Sequence, residues 1–247
     1  MILPHIKTLI IITLTSNWLT AQIPNNSSQA IVGITSGWNS SHVSLSIYQK
    51  KNHVWQRVGL PWKGRLGKNG LAWGRGIHRQ TQTTSRQKVE GDARTPAGIF
   101  MLGGVYGYAS DIKHHPKLPY RKITPRDLWI EDHTSRYYNQ HLILDHIPST
   151  NWEIKGQMRQ NDNAHSLKLY IAHNDSILGG QPAPGYGSAI FFHIWRGGGT
   201  KPTAGCTTMQ KTKLQQLIAI IDPTMNPVYV VLPQAEYSAL RTPWKLP

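Results

Sequence analysis

The 247-residue chain predicts a β-rich α+β fold, a mixed, sandwich-like sheet core with one helix packed against it. Three observations carry that expectation. Apolar residues alternate at period two in separated stretches, among them Val43-Leu45-Ile47, Leu167 to Ala172 and Ile190 to Ile194, as strands with unlike faces require. Helical spacing occurs at Leu214, Leu217, Ile218 and Ile221, predicting a helix that ends near Asp222-Pro223. The length suits one large domain or two small ones, with ample residues for a core.

Taken in order, residues 1–21 combine Lys7, an apolar run from Leu9 to Leu14 and a small residue at Ala21. They resemble a secretory signal peptide cut after Ala21, with Pro4, Asn17 and Trp18 departing from the pattern. An uncleaved N-terminal anchor is the alternative. Residues 22–40, rich in Asn, Ser and Gly, read as a flexible lead-in segment. Val43 to Ile47, a turn at Gln49 to Asn52 and Val54 to Val58 predict a hairpin. The run Gly64 to Gly76 is too glycine-dense for a helix, and no Gly-Lys-Ser/Thr opens a following helix, which argues against a phosphate loop. At Glu90 to Phe100, Thr95-Pro96 and Gly98 predict a rigid turn feeding a short strand, with Glu90, Asp92 and Arg94 paired locally. Residues 234–247 read as a short surface extension.

The chain carries 27 basic against 12 acidic residues, a formal charge of +15. Such a surface attracts polyanions, including anionic lipid, nucleic acid or an acidic envelope polymer. The basic residues are spread along the chain without a recognition-helix, zinc-finger or single-strand-binding signature, so nucleic acid is not expected. There are 12 histidines but no His-Glu-x-x-His and no cysteine pair, so neither a metal nor another cofactor is expected. His114, His115, His133, His141 and His146 read as exposed or hydrogen-bonded, and His173 ranks below His193 as a site residue. The scarcity of acids disfavours a two-carboxylate hydrolase.

The stretch from Gly187 to Met209 holds the densest chemistry. An apolar strand carries His193, which shares a face with Phe191 and Trp195 while Ile190, Phe192 and Ile194 face the other way. A loop with Gly197-Gly198-Gly199 and Pro202 then delivers Cys206, the single cysteine of the chain. Thr207 to Gln210 read as the lead into the helix, so Cys206 is expected just before a helix N-terminus. There a neighbouring imidazolium and the helix dipole would lower its pKa from a free-thiol value of about 8.5. His193 is the candidate base, and N–H groups around Gly205 would form an oxyanion hole. The competing reading is structural: a small buried thiol and a satisfied core histidine.

These residues also carry a resemblance. The run Gly-Ser-Ala-Ile-Phe-Phe-His followed by Thr203-Ala204-Gly205-Cys206-Thr207-Thr208-Met209 resembles the active-site signature of the L,D-transpeptidases, the YkuD-like cysteine enzymes of bacterial cell-wall synthesis. Glu90 to Phe100 resembles their Gly-Asp-Gly-Arg-Thr-Pro-Ala-Gly element, with Ala93 for the middle glycine. Further matches run through Leu118-Pro119-Tyr120, Trp129, Asp132, Ser135, Tyr138-Asn139 and Glu153 to Met158, and end with a strand at Pro227 to Leu232.

The resemblance implies a catalytic domain over 41–233, located in the periplasm or cell envelope, with peptidoglycan stem peptides as partners and no stable membrane span after leader removal. It implies Cys206 as nucleophile and His193 as base, with Gly205 and Thr207 at the oxyanion loop and Arg196, Thr203 and Tyr138 binding substrate. The implied activity is cross-linking of stem peptides through a Cys thioester. Hydrolysis of the same bonds by an L,D-carboxypeptidase or endopeptidase, or a non-catalytic basic wall-binding module, are the alternatives. One departure is Thr208, where the family often has Arg or Asn.

Overall fold

The first strand arises where composition alone argues against one. In the computed structural model, which describes residues 22–78 and 86–247, β1 (Gln29–Thr35) is buried along nearly its whole length. It lies inside the segment 22–40 read as a flexible lead-in. The apolar run Ala30-Ile31-Val32, paired on both edges, overrides the polar residues around it. The expected leader, residues 1–21, lies outside the described residues.

The hairpin forms as the alternation predicts, from β2 (His42–Lys51) and β3 (Val54–Arg65). Its turn is Asn52-His53, both at positive φ, the two-residue geometry that suits the twist of paired strands. β3 runs on to Arg65, taking Gly64 out of the glycine-dense run. The short β4 (Leu71–Trp73) follows. β5 (Thr95–Gly107) begins at the expected Thr95-Pro96 and extends over 13 residues.

Between β5 and the next barrel strand the chain makes an excursion. It holds β6 (Tyr120–Lys122), the pair β7 (Asp127–Trp129) and β8 (His141–Ile143), and the helix α1 (Asn151–Gly156). β9 (Leu167–Ile171) and β10 (Phe191–Ile194) are buried at every position. A strand is buried on both faces only when both are covered, and here the barrel interior covers one face and the excursion the other. β11 (Thr207–Met209), α2 (Lys211–Ile220), β12 (Val228–Pro233) and α3 (Gln234–Leu240) complete the order.

The strands close into an eight-strand barrel in the order β1-β2-β3-β11-β10-β9-β5-β12, with β12 pairing both β5 and β1. The β1–β12 and β10–β11 pairs are parallel and the others antiparallel. The expected mixed, β-rich core thus takes the form of a closed barrel, which removes sheet edges. Phe192 and Tyr229 meet inside it at a ring-centroid distance of 4.6 Å, and α2 packs on the core through Leu214, Leu217 and Ile218.

The C-terminal residues expected as a surface extension return to the barrel. Ile23 N–H donates to the Trp244 carbonyl at 3.0 Å, Trp55 Nε1–H donates to that of Lys245 at 3.2 Å, and Leu246 is buried. Among the described residues no helix is long and apolar enough to cross a membrane.

Phe192 is fully buried, whereas Leu60 is 80 % exposed. Phe192→Ala is therefore expected to lower unfolding stability by about 3–5 kcal/mol and Leu60→Ala by no more than about 0.5 kcal/mol, read from urea denaturation. Similar losses for both would place Phe192 outside the core.

Candidate active site

Alternation along β10 sends Phe192 and Ile194 into the barrel and leaves Phe191 and His193 on its outer face, under the excursion. β11 lies parallel to β10 with Phe192 opposite Thr207 and His193 opposite Thr208. One step back along each strand brings Cys206 beside Phe191. The Phe191 N–H donates to Cys206 Sγ at 3.4 Å, and the thiol donates to the Ala189 carbonyl at 3.4 Å.

His193 and Cys206 line one cleft of about 280 Å³, together with Lys88, Glu90, Lys168 and Arg196. His193 is buried, and its Nδ1–H donates to the Ile194 carbonyl at 2.9 Å. That bond assigns the proton to Nδ1 and leaves the lone pair on Nε2. The His165 ring stacks on it at 5.1 Å. Among the described residues no hydrogen bond joins the His193 and Cys206 side chains in the resting chain.

The loop before Cys206 is held by one hydroxyl. Thr203 Oγ1 donates to the Cys206 carbonyl at 2.7 Å and accepts from Gly205 N–H at 3.1 Å. The Gly205 N–H, expected in an oxyanion hole, is thus engaged within the loop in the resting chain. Cys206's own N–H has no acceptor among the described residues. A side chain at Gly205 would be strained, its φ being 157° and its Cβ 3.1 Å from the Arg94 carbonyl oxygen.

Thr207, expected at the oxyanion loop, turns its side chain away from the cleft. Its side chain points into the barrel, where its hydroxyl lies 3.0 Å from that of Tyr229. Arg196 lines the cleft but is engaged by Asp162, at 2.7 Å from NH2. Tyr138 is buried and donates its hydroxyl hydrogen bond to Glu90, which also accepts from Ser188 Oγ at 2.8 Å. Tyr138 thus supports a carboxylate at the cleft rim. His173 is a core histidine, its Nδ1 accepting from Arg75 N–H at 3.1 Å and its Nε2–H donating to the Tyr186 carbonyl at 2.9 Å.

The expected helix start behind Cys206 is displaced. The β-branched Thr207 and Thr208 continue as β11, and α2 begins only at Lys211. No helix dipole therefore acts on the thiol. Burial pushes Cys206 up to about 11, against the opposing pull of the Phe191 N–H and Lys168. Burial pushes His193 down to about 3, reinforced by the neighbouring His165, Lys168 and Arg196. Both groups are neutral at rest, which reverses the expected thiolate–imidazolium pair.

Residues 39–230 match the YkuD family, the L,D-transpeptidase catalytic domain. The chain belongs to the L,D-transpeptidase catalytic-domain family. No curated protein matches it. Among solved structures it is similar to Pgp2, a helical cell shape determining protein from Campylobacter jejuni, at 11 % identity and a TM-score of 0.40, over 87 % of this chain and 50 % of that one. It is also similar to Bd1075 of Bdellovibrio bacteriovorus, at 13 % identity and a TM-score of 0.39, over 90 % of this chain and 57 % of that one. The chain spans about half the length of these structures.

Within this L,D-transpeptidase-family domain, the partners of several residues at and behind the cleft are not given by sequence reasoning. Glu90 lies in a local charge cluster in sequence, yet its partners are Tyr138 and Ser188, far along the chain. Asn139 Oδ1 accepts from Trp129 Nε1–H at 2.9 Å and from Ala189 N–H at 3.0 Å, while its Nδ2 donates to the His173 and Asn174 carbonyls, each at 2.9 Å. It ties the excursion to the segment that receives the thiol. Lys168 lies inside an apolar strand pattern and carries no motif of its own.

Two outcomes follow from this geometry. With the thiol held near 11, iodoacetamide labelling of native Cys206 is expected to keep accelerating from pH 7 to beyond pH 10; a plateau at or below pH 8.5 would show a stabilised thiolate instead. Thr203→Val strands the Gly205 N–H and is expected to cost about 1–3 kcal/mol in urea unfolding, whereas an unchanged midpoint would show that the Thr203 hydroxyl does not hold the loop.

Proposed function

We propose that this domain is a peptidoglycan L,D-transpeptidase of the cell envelope, working through a Cys206 thioester. The observation that carries this reading is the shared cleft of Cys206 and His193, with the imidazole held by the Ile194 carbonyl and the Cys206 N–H free of an internal acceptor. Family membership supports the same chemistry.

Cys206 Sγ attacks the carbonyl that follows an L-centre of a stem peptide, and its proton passes to His193 Nε2 as the C–S bond forms. The developing oxyanion is met by the Cys206 N–H. Collapse breaks the C–N bond, and His193 returns the proton to the departing D-amino acid amine. An amine of a second stem peptide then attacks the thioester carbonyl and gives a proton to His193, which passes it to Sγ as the C–S bond breaks and the cross-link forms. Because both groups are neutral at rest, proton transfer accompanies attack and does not precede it. Burial that raises the thiol also makes the sulfur a stronger nucleophile once deprotonated.

A second space supports the transfer reading. A basin of about 950 Å³, lined by Ile130, Trp152, Ile154 and Asp132, shares Glu90, Gly91, Glu131, Lys155 and Gly156 with the cleft. It offers an acceptor peptide room beside the thioester. The basic surface suits an acidic envelope polymer without by itself requiring catalysis.

Incubation of the protein with disaccharide tetrapeptides is expected to yield cross-linked dimers, with Cys206→Ala and His193→Gln each reducing turnover by at least about 10³-fold while folding and wall binding persist. Tripeptide product without dimer would assign hydrolysis. Full activity in Cys206→Ala would overturn the mechanism, and wall binding without turnover in the unaltered protein would assign a binding module.

A further inference from the structure

β9 holds a charge where a strand covered on both faces has little room for one. Lys168 is only 5 % exposed, lines the cleft, and lies directly across from His193 in the antiparallel β9–β10 pair. Its Nζ donates to the Met158 carbonyl at 2.8 Å and sits 5.6 Å from the Phe191 ring centroid. Among the described residues no carboxylate forms a salt bridge with it. An ammonium has three N–H groups, so two remain unspent, and a buried cation with no carboxylate in contact is costly, a cost that the more distant Asp162 and Glu131 only moderate.

The other cations at the cleft are engaged or solvated. Lys88 pairs with Asp92 at 2.6 Å, Arg196 with Asp162 at 2.7 Å, and Lys155 is exposed. On the opposite side of His193, Thr208 is uncharged and faces the Arg65 carbonyl. In the acyl-transfer reading, on which this inference rests, the departing amine must lie at His193 to receive its proton. The carboxylate carbon of that same amino acid is two bonds from the amine, about 2.5 Å. A neighbour across an antiparallel pair has its Cβ about 4.5–5.5 Å away. The Lys168 ammonium acts electrostatically on both His193 and Cys206, so a carboxylate beside the departing amine lies within its field.

We propose that Lys168 anchors the terminal carboxylate of the departing D-amino acid and so selects free-ended stem peptides over internal bonds. An internal or already cross-linked peptide lacks that carboxylate and leaves the ammonium unpaired. Binding the carboxylate also offsets one of the positive charges around His193, so a substrate that carries it improves the base as well as its own affinity.

The test uses full-length Cys206→Ala protein and calorimetric titration with a stem tetrapeptide ending in a free carboxylate or in a carboxamide. The acid is expected to bind on the order of ten- to a hundredfold more tightly than the amide. Adding Lys168→Met, which keeps the apolar stem over Phe191, is expected to erase the difference. Equal binding of acid and amide with Lys168 intact overturns the proposal without depending on the variant's folding; so does a difference that survives Lys168→Met. Turnover by the unaltered protein separates the two readings: equal cleavage of acid and amide keeps acyl transfer and removes Lys168 from selection, whereas neither binding nor turnover overturns both.

Discussion

The parallel pairing of β10 and β11 is the constraint on which the site depends. Parallel neighbours need a return connection of about a dozen residues or more, usually a helix, and Trp195 to Cys206 join these two at that lower limit without an α-helix. The chain manages this with a 3-10 turn at Gly197–Gly199 and with bonds to the segment that follows the neighbouring strand β3. Thr203 N–H donates to the Leu66 carbonyl at 2.9 Å, and Lys68 N–H donates to the Thr203 carbonyl at 2.8 Å. The glycine-dense run thus serves as a bed for the Cys loop. A Cβ at Gly67 would lie 2.4 Å from the Ala93 carbonyl oxygen, so the bed exists only with glycine there. Shifting the β10–β11 register by one residue would turn Cys206 towards the barrel interior.

Burial shapes the chemistry that this placement allows. The excursion that covers β9 and β10 also removes water from His193 and Cys206, and each is driven towards its neutral form. The same cover has a cost in stability at the pH extremes. His193 stays neutral when folded but takes a proton below about 6.5 when unfolded. Its contribution is present above that value and is lost as pH falls towards about 3. The thiol behaves oppositely, its contribution being present below its free value and lost as pH rises towards about 11. A neutral pair is thus most secure in the middle of the range, where the charge needed for attack has to be generated with the substrate in place.

Local pattern was the legible part of this fold. Alternation at Val43-Leu45-Ile47 and along β10, and helical spacing at Leu214, Leu217 and Ile218, report which side of one element is buried, and each element formed accordingly. Family motifs marked Cys206 and His193, and the two came together in one cleft. Barrel closure was not legible, because it depends on β12 pairing with both β1 and β5, contacts between distant parts of the chain. The buried neutrality of the pair was hidden for the same reason: its cause is the excursion, whose position over β10 no spacing within Gly187 to Met209 records. Asn139 shows the difficulty in one residue. As sequence it is an asparagine in a polar loop; as structure it joins Trp129, Ala189, His173 and Asn174.

Thr208, the departure from the family pattern, has a physical reason in the adjacent strand. Across the sheet His42, Arg65, Thr208, His193 and Lys168 occupy one continuous row from β2 to β9. Arg65 is directly opposite Thr208, and its guanidinium meets His42 Nε2 at 2.6 Å, Ser41 Oγ at 3.1 Å and the Gly199 carbonyl at 3.3 Å. It thereby holds the start of the Cys loop. An arginine at 208 would set two guanidinium groups on directly opposed positions, a destabilising like-charge pair, in a row that already carries Lys168 beside His193. A small neutral residue at 208 is what the loop-holding role of Arg65 permits. The positive charge absent at that position is present instead on the far side of His193.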